Sequence, residues 1–231
     1  MGKRPNGVRI DSGDMTYLSK EVRKMLDSAG YKDVNIVASN SLDEYIIRGV
    51  LDNGACLDSF GVGERLITAK SEPVFGGVYK LVAIEDKNGG IIPKIKISEN
   101  PEKITNPGFK KIYRIFDKKS NKAIADLITL GDEKIDESKP LTIFNPVHTW
   151  KRKTFKNYYV KELMVKIFDK GQPIYESPSV LEIKEFSKKE LNRLWTEVKR
   201  FENPHTYYID LSKSLWELKQ DLLVKFGNSY E

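Results

Sequence analysis

Short apolar runs alternate with stretches of helical periodicity through the first 85 residues, and after three or four repeats the alternation stops. Val8–Asp11 alternates apolar and polar side chains, as a half-buried strand does. Asp14 stands where a helix N-cap belongs, Leu18, Val22, Met25 and Leu26 follow at helical spacing, and Gly30 closes the segment. Val34–Ala38 is a second apolar run. Asn40 is the next N-cap candidate, with Asp43 favouring a helix start, an apolar stripe of Leu42, Ile46, Val50 and Leu51, and a stop at Gly54. Cys56–Phe60 forms a third run, leading into Gly61-Val62-Gly63 and a short helical turn at Glu64–Ile67, and Gly77–Glu85 reads as a fourth strand. Strands alternating with helices give a parallel sheet with right-handed crossovers. The strand starts lie roughly two dozen residues apart, the spacing of compact βα units, but a full barrel takes about eight of them and about 250 residues. The expectation is therefore an α/β chain: part of a (β/α) barrel over residues 1–85, not a complete one.

Beyond Glu85 the pattern changes, and residues 86–231 are expected to form a mixed α+β C-terminal region. Asn88-Gly89-Gly90 marks a hairpin turn. Lys111–Phe116, Ala123–Leu130, Leu141–Phe144 and Tyr158–Phe168 read as strands. Ser187 and Glu190 form an S-x-x-E capping box ahead of Leu191, Leu194, Trp195 and Val198, and a last helix is expected from about Leu211 to Phe226.

Charge follows the same division. Residues 1–85 carry 11 Lys+Arg against 12 Asp+Glu, and the rest carry 28 against 21, so the net +6 belongs to the second part. A basic surface attracts polyanions, yet acidic residues are interleaved throughout, the pattern of an ordinary solvated face. One cysteine, Cys56, excludes a disulfide framework and fits a reducing, cytoplasmic setting. One Cys and two separated His cannot close a zinc shell. The apolar runs are too short to span a bilayer, and Met1–Asp14, basic and polar, is not read as a signal segment.

Four places carry candidate chemistry. On a strand over Val8–Asp11, Val8 and Ile10 share one face while Arg9 and Asp11 share the other. In a βα barrel that second face looks inward near the catalytic mouth. Arg suits a planar carboxylate, and Asp accepts from sugar hydroxyls or reaches a metal through water; a structural ion pair accounts for the two equally well. Ser39 and Asn40 sit where a strand yields to a helix, a position for ligand contact and for ordinary capping alike. Gly61 and Gly63 allow close backbone approach, and the amides of the following turn, from Glu64 onward, can hold phosphate. Gly76-Gly77 permits a tight passage before Lys80. His148 and His205 read as loop residues of the second part.

Gly-Val-Arg-Ile-Asp-Ser-Gly-Asp at 7–14, Ile-Val-Ala-Ser-Asn-Ser-Leu-Asp-Glu at 36–44, Asp-Ser-Phe-Gly-Val-Gly at 58–63 and Gly-Gly-Val-Tyr-Lys-Leu-Val-Ala at 76–83 resemble, in order and spacing, nicotinate phosphoribosyltransferases. Lys94–Gly108 and Phe144-Asn145-Pro146 resemble the C-terminal region of that family. The resemblance implies the late strands of a type II phosphoribosyltransferase barrel followed by the C-terminal domain. It implies transfer of phosphoribose from phosphoribosyl pyrophosphate to nicotinate in NAD salvage, driven by ATP through a phosphorylated histidine and assisted by Mg2+, in a cytoplasmic homodimer with no role for membrane or nucleic acid. Carried over by position, Arg9 would grip the nicotinate carboxylate, Asp11 would face substrate and ribose, and Ser39 and Asn40 would line the ribose. Gly61, Gly63 and Glu64 would hold the phosphate, Glu64 through its backbone because its carboxylate repels phosphate. The family's phosphohistidine and N-terminal part have no counterpart here, and neither His148 nor His205 matches that histidine, so no catalytic residue and no ATP-coupled turnover are expected of this chain alone. Two other readings remain: a relative acting on nicotinamide, and a basic module without catalysis.

Overall fold

The computed structural model describes residues 4–74 and 76–227. They divide into two compact units, one up to Val78 and the other from Tyr79, ahead of the expected change at 85/86.

The first unit is a three-stranded parallel sheet with helical crossovers. Its elements are β1 (Gly7–Ile10), α1 (Met15–Ser28), β2 (Asn35–Ser39), α2 (Glu44–Asp52), β3 (Ser59–Gly61) and the four-residue α3 (Glu64–Ile67). The strands lie in chain order, with Arg9 opposite Val37, Ile10 opposite Ala38 and Ser39 opposite Gly61. Ile10, Val34, Ile36, Ala38 and Leu42 are its buried apolar residues. Alternation along β1 and β2 puts Ile10, Ile36 and Ala38 on one face and leaves Arg9, Val37 and Ser39 on the other. Asp14 caps α1, accepting from Tyr17 N at 3.0 Å. Ser19, fully buried, donates to Thr16 O at 3.0 Å and accepts from Cys56 N at 3.0 Å, which ties α1 to the approach to β3.

The second helix starts later than Asn40. Asn40 and Ser41 both take left-handed backbone, φ 84° and 50°, which turns the chain so that Leu42 is buried ahead of the helix. Asp43 is the actual cap, accepting from Ile46 N at 2.8 Å. The fourth strand shrinks to β4 (Ala83–Glu85). It does not join the parallel sheet but pairs antiparallel with β5 (Ile91–Pro93) across the expected turn. Asp86 Oδ1 accepts from the amides of Asn88 and Gly90, both at 2.8 Å, and Gly89 has φ 80°, so side-chain chemistry and glycine together close the hairpin. Among the described residues a Cβ added at Gly76 or Gly77 would meet nothing within 4 Å, so the tight passage that Gly-Gly permits is not used there.

The second unit is built on a mixed four-stranded sheet. After β4 and β5 come β6 (Lys110–Asp117), β7 (Ala123–Leu130), β8 (Leu141–Phe144), β9 (Arg152–Phe155), β10 (Tyr158–Glu162), β11 (Phe168–Asp169), β12 (Gln172–Pro173), α4 (Val180–Arg193), β13 (Tyr208–Leu211) and α5 (Lys213–Gly227). The sheet order is β10-β6-β7-β13, antiparallel except that β13 runs parallel to β7, while β8–β9, β11–β12 and β4–β5 are separate hairpins. Ile115, Ala125, Leu127, Ile143, Phe155 and Tyr158 form its core. The Tyr158 hydroxyl donates to the carbonyls of Asp136 and Lys139 at 3.1 and 3.0 Å, which allows the ring to be buried without an unpaired oxygen.

Three expectations change here. The helix expected from Ser187 begins at Val180, capped by the reciprocal box of Ser179 and Glu182, so Ser187 is mid-helix. The strand from Tyr158 ends at Glu162 rather than Phe168. Tyr208–Leu211 is a strand that immediately precedes the final helix. Among the described residues no sheet closes on itself.

Candidate functional site at the strand ends of the first unit

The C-terminal ends of β1, β2 and β3 bring together residues that are distant in sequence. Ser39 is the hub. Its hydroxyl donates to Asp11 Oδ1 at 2.7 Å and accepts from Arg9 Nη1 at 3.3 Å, while Arg9 and Asp11 stand 3.5 Å apart. Arg9 and Asp11 are two residues apart on one strand face, as alternation requires, and Ser39 arrives from the next strand. The cluster is open: the Arg9 and Asp11 side chains are 64% and 56% exposed. At that exposure the ion pair contributes little to stability. Among the described residues Arg9 makes one side-chain hydrogen bond, out of the five that a guanidinium can donate.

Gly61 ends β3 directly opposite Ser39. A Cβ there would lie 3.3 Å from Ser39 Cβ and 3.8 Å from Ala38 O, so glycine is what lets the two backbones sit side by side. Gly63 caps α3 without a side-chain bond, and its carbonyl accepts from Leu66 N and Ile67 N, both at 3.0 Å. The amides of Glu64 and Arg65 open that turn and have no intrahelical acceptor. Asn40, with φ 84°, follows Ser39 on the exposed turn, and its Oδ1 accepts from the Ser41 hydroxyl at 3.2 Å. The structure thus joins Arg9, Asp11, Ser39 and Gly61, sets Asn40 beside them in the chain, and puts Gly63 and Glu64 on the loop leaving β3.

Two contacts between elements that the sequence does not disclose brace this sheet, one at each end of β3. Arg65 pairs with Asp43, which ties the turn after β3 to the cap of α2. The Ile46 amide and the Arg65 guanidinium hold the Asp43 carboxyl below the ordinary carboxylate range. Asp58 accepts from Ile36 N at 2.7 Å and pins the entry of β3 to β2. Either carboxylate resembles any surface acid until its partner from another element is placed beside it. His148 and His205 belong to the second unit. Among the described residues no group of three or more His, Cys, Asp or Glu is arranged to hold a metal ion, and no helix is long and apolar enough to cross a membrane.

Residues 109–219 match the family model described as the nicotinate phosphoribosyltransferase C-terminal domain. Over 213 residues the chain is 46% identical to nicotinate phosphoribosyltransferase of Bacillus subtilis, an alignment that takes in 92% of this chain and 43% of that protein. The chain corresponds to the C-terminal portion of nicotinate phosphoribosyltransferases. It spans less than half the length of the curated relatives it matches. Its fold is similar to that of human nicotinic acid phosphoribosyltransferase, with a TM-score of 0.70 at 25% identity over 95% of this chain and 40% of that one. It also resembles nicotinate-nucleotide pyrophosphorylase from Pyrococcus furiosus, with a TM-score of 0.55 at 25% identity over 81% of this chain and 40% of the other. The likeness therefore extends over both units.

Proposed function

We propose that this chain supplies the nicotinate and phosphoribosyl side of a nicotinate phosphoribosyltransferase active site. In this reading β1, β2 and β3 form an arc of a (β/α) barrel, and the site lies at its C-terminal mouth. The observation that carries it is the open Arg9–Ser39–Asp11 cluster at the ends of adjacent parallel strands. Arg9 has donors to spare for two parallel hydrogen bonds to the nicotinate carboxylate. Gripping the carboxylate orients the ring so that its nitrogen faces C1 of phosphoribosyl pyrophosphate. Asp11, fixed by Ser39, accepts from the ribose side together with Asn40. The backbone around Gly61, Gly63 and Glu64 receives the 5′-phosphate, and the Glu64 side chain takes no part. Transfer then forms the N–C1 bond of nicotinate mononucleotide as pyrophosphate departs, a step in NAD salvage.

Magnesium fits this residue set only in the mode in which the ion arrives on substrate phosphates and one carboxylate suffices, here Asp11. Its chemistry there would be to neutralise the departing pyrophosphate. Coupling to ATP is assigned to a histidine that neither His148 nor His205 matches. The complete enzyme is read as a cytoplasmic homodimer, in keeping with the free thiol of Cys56.

The test is steady-state kinetics of a hybrid in which this chain replaces the matching portion of the Bacillus subtilis relative. Charged hydrogen bonds contribute about 1.5–3 kcal/mol, so Arg9→Gln should weaken use of nicotinate by about 10- to 100-fold and leave any use of nicotinamide nearly unchanged. Unchanged nicotinate kinetics, or a parent hybrid that prefers the amide, would overturn the assignment.

A further inference from the structure

The second unit contains a cavity that the phosphoribosyl reading does not use. Its volume is about 450 Å³, within the range of small-molecule sites. Asp210 borders it and is only 4% exposed. Among the described residues the Asp210 carboxylate has neither a hydrogen-bond nor an ion-pair partner, and burial alone pushes its pKa up. Tyr208 lies two residues before it on β13 and lines the same cavity, so the two share the strand face that looks into it. Among the described residues no side-chain oxygen or nitrogen is sealed from solvent without a partner, so the Asp210 oxygens open onto the cavity, where only water or a ligand can meet them.

The remaining walls restrict what can satisfy it. Phe155, Tyr208 and His205 provide flat surfaces, and the His205 and Tyr208 rings meet edge to face at 6.3 Å. Lys151, Arg152 and Lys153 occupy the rim in one run. Lys151 and Lys153, which alternation turns to the same side, against one carboxylate favour a ligand that is anionic overall, which disfavours a guanidinium or an amine as the group meeting Asp210. The complement of two carboxylate oxygens side by side is a pair of parallel N–H donors on a neutral, planar ring. Guanine presents such an edge, while adenine presents one donor beside an acceptor. A phosphate attached to the ring would meet the basic rim. Ile124, Lys153, His205 and Tyr208 also border an adjoining cavity of about 230 Å³ that reaches Trp195, giving a second aromatic wall.

We propose that this cavity is a binding site for a guanine mononucleotide, with the base edge on Asp210 and the phosphate on Lys151 and Lys153. All of its lining residues belong to the second unit and it makes no use of Arg9, so it can fail while the transferase reading survives.

Calorimetric titration of the 231-residue chain with GMP, AMP, guanosine and inorganic phosphate tests it. GMP should bind with a dissociation constant at or below about 1 mM and about tenfold more tightly than AMP, because a well-made bidentate base contact discriminates by about that factor. Guanosine and phosphate should each bind more weakly than GMP. Asp210→Asn presents a donor where acceptors are needed and should abolish the preference for GMP. Lys153→Ala, at an exposed position on β9, should weaken GMP and leave guanosine unaffected. The proposal is overturned if GMP shows no saturable binding at that concentration, if AMP binds as tightly, or if both variants bind GMP as the parent does.

Discussion

Arg114→Met removes the cation from the best-made ion pair of the second unit. Arg114 on β6 faces Asp126 on β7 in register and holds it with two hydrogen bonds, Nε to Oδ1 and Nη2 to Oδ2, both 2.9 Å. Their side chains are 23% and 10% exposed, so Asp126 would be left charged in a largely dry place. Removing one member of a buried pair costs about 3–5 kcal/mol. Here Asp126 keeps the Tyr207 hydroxyl at 2.8 Å, and Arg114 is partly open to water, which places the cost near the lower end. For a unit of this size, about 3 kcal/mol lowers the melting temperature by about 6–12 °C. Thermal unfolding followed by circular dichroism measures it. The double variant Arg114→Met/Asp126→Asn removes the stranded charge while its amide oxygen still accepts from Tyr207, and should recover part of the loss. A single variant within about 2 °C of the parent, or a double variant no better than the single, would refute the reasoning.

Asp210 gives a pH-dependent effect of the opposite sign. Its carboxyl binds a proton more tightly folded than unfolded, so its charged form lowers stability at neutral pH, and that penalty disappears as pH falls to the unfolded value of 3.8. Asp210→Asn should therefore raise the melting temperature at neutral pH, with the gain vanishing towards about pH 4; a gain independent of pH would show that the charge is not its origin. Gly61→Val should push β3 away from Ser39, break the Ser39–Asp11 contact and raise the nicotinate KM of the hybrid, whereas an unchanged KM would remove Gly61 from the site. β1 and β3 are the outer strands of the three-stranded sheet, and such edges template pairing, so light scattering of the chain alone should report association. A monodisperse monomer at high concentration would count against the barrel reading.

What the sequence disclosed depended on whether the signal was local. Period-two alternation placed Arg9 and Asp11 opposite Ile10 without any knowledge of the fold, and the apolar runs at Ile36 and Ala123 marked strands that the structure contains. Capping motifs were less reliable because the same chemistry recurs. Ser179/Glu182 and Ser187/Glu190 both spell S-x-x-E, and only the first follows a proline, Pro178, that holds the chain extended before the helix. Asn40 has the composition of a cap but serves as a left-handed turn, because Leu42 must be buried before α2 can begin. The strand at Tyr208–Leu211 was hidden because its four residues depend on a parallel partner, β7, far back in the chain. Of the site, the Ser39 hub could be anticipated at a strand end. The Asp43–Arg65 tie and the unpartnered Asp210 could not, since each is defined by what other segments bring beside it.

The central claim is that this chain carries one side of a nicotinate phosphoribosyltransferase site, with Arg9 as the carboxylate anchor. Its most direct measurement is nicotinate mononucleotide formation from nicotinate, phosphoribosyl pyrophosphate and ATP, with the purified chain alone and with it mixed with the remaining portion of the Bacillus subtilis relative. No product is expected from the chain alone, product is expected on mixing, and Arg9→Gln should abolish it. Robust turnover by the chain alone, or undiminished product with the Arg9 variant, would contradict it.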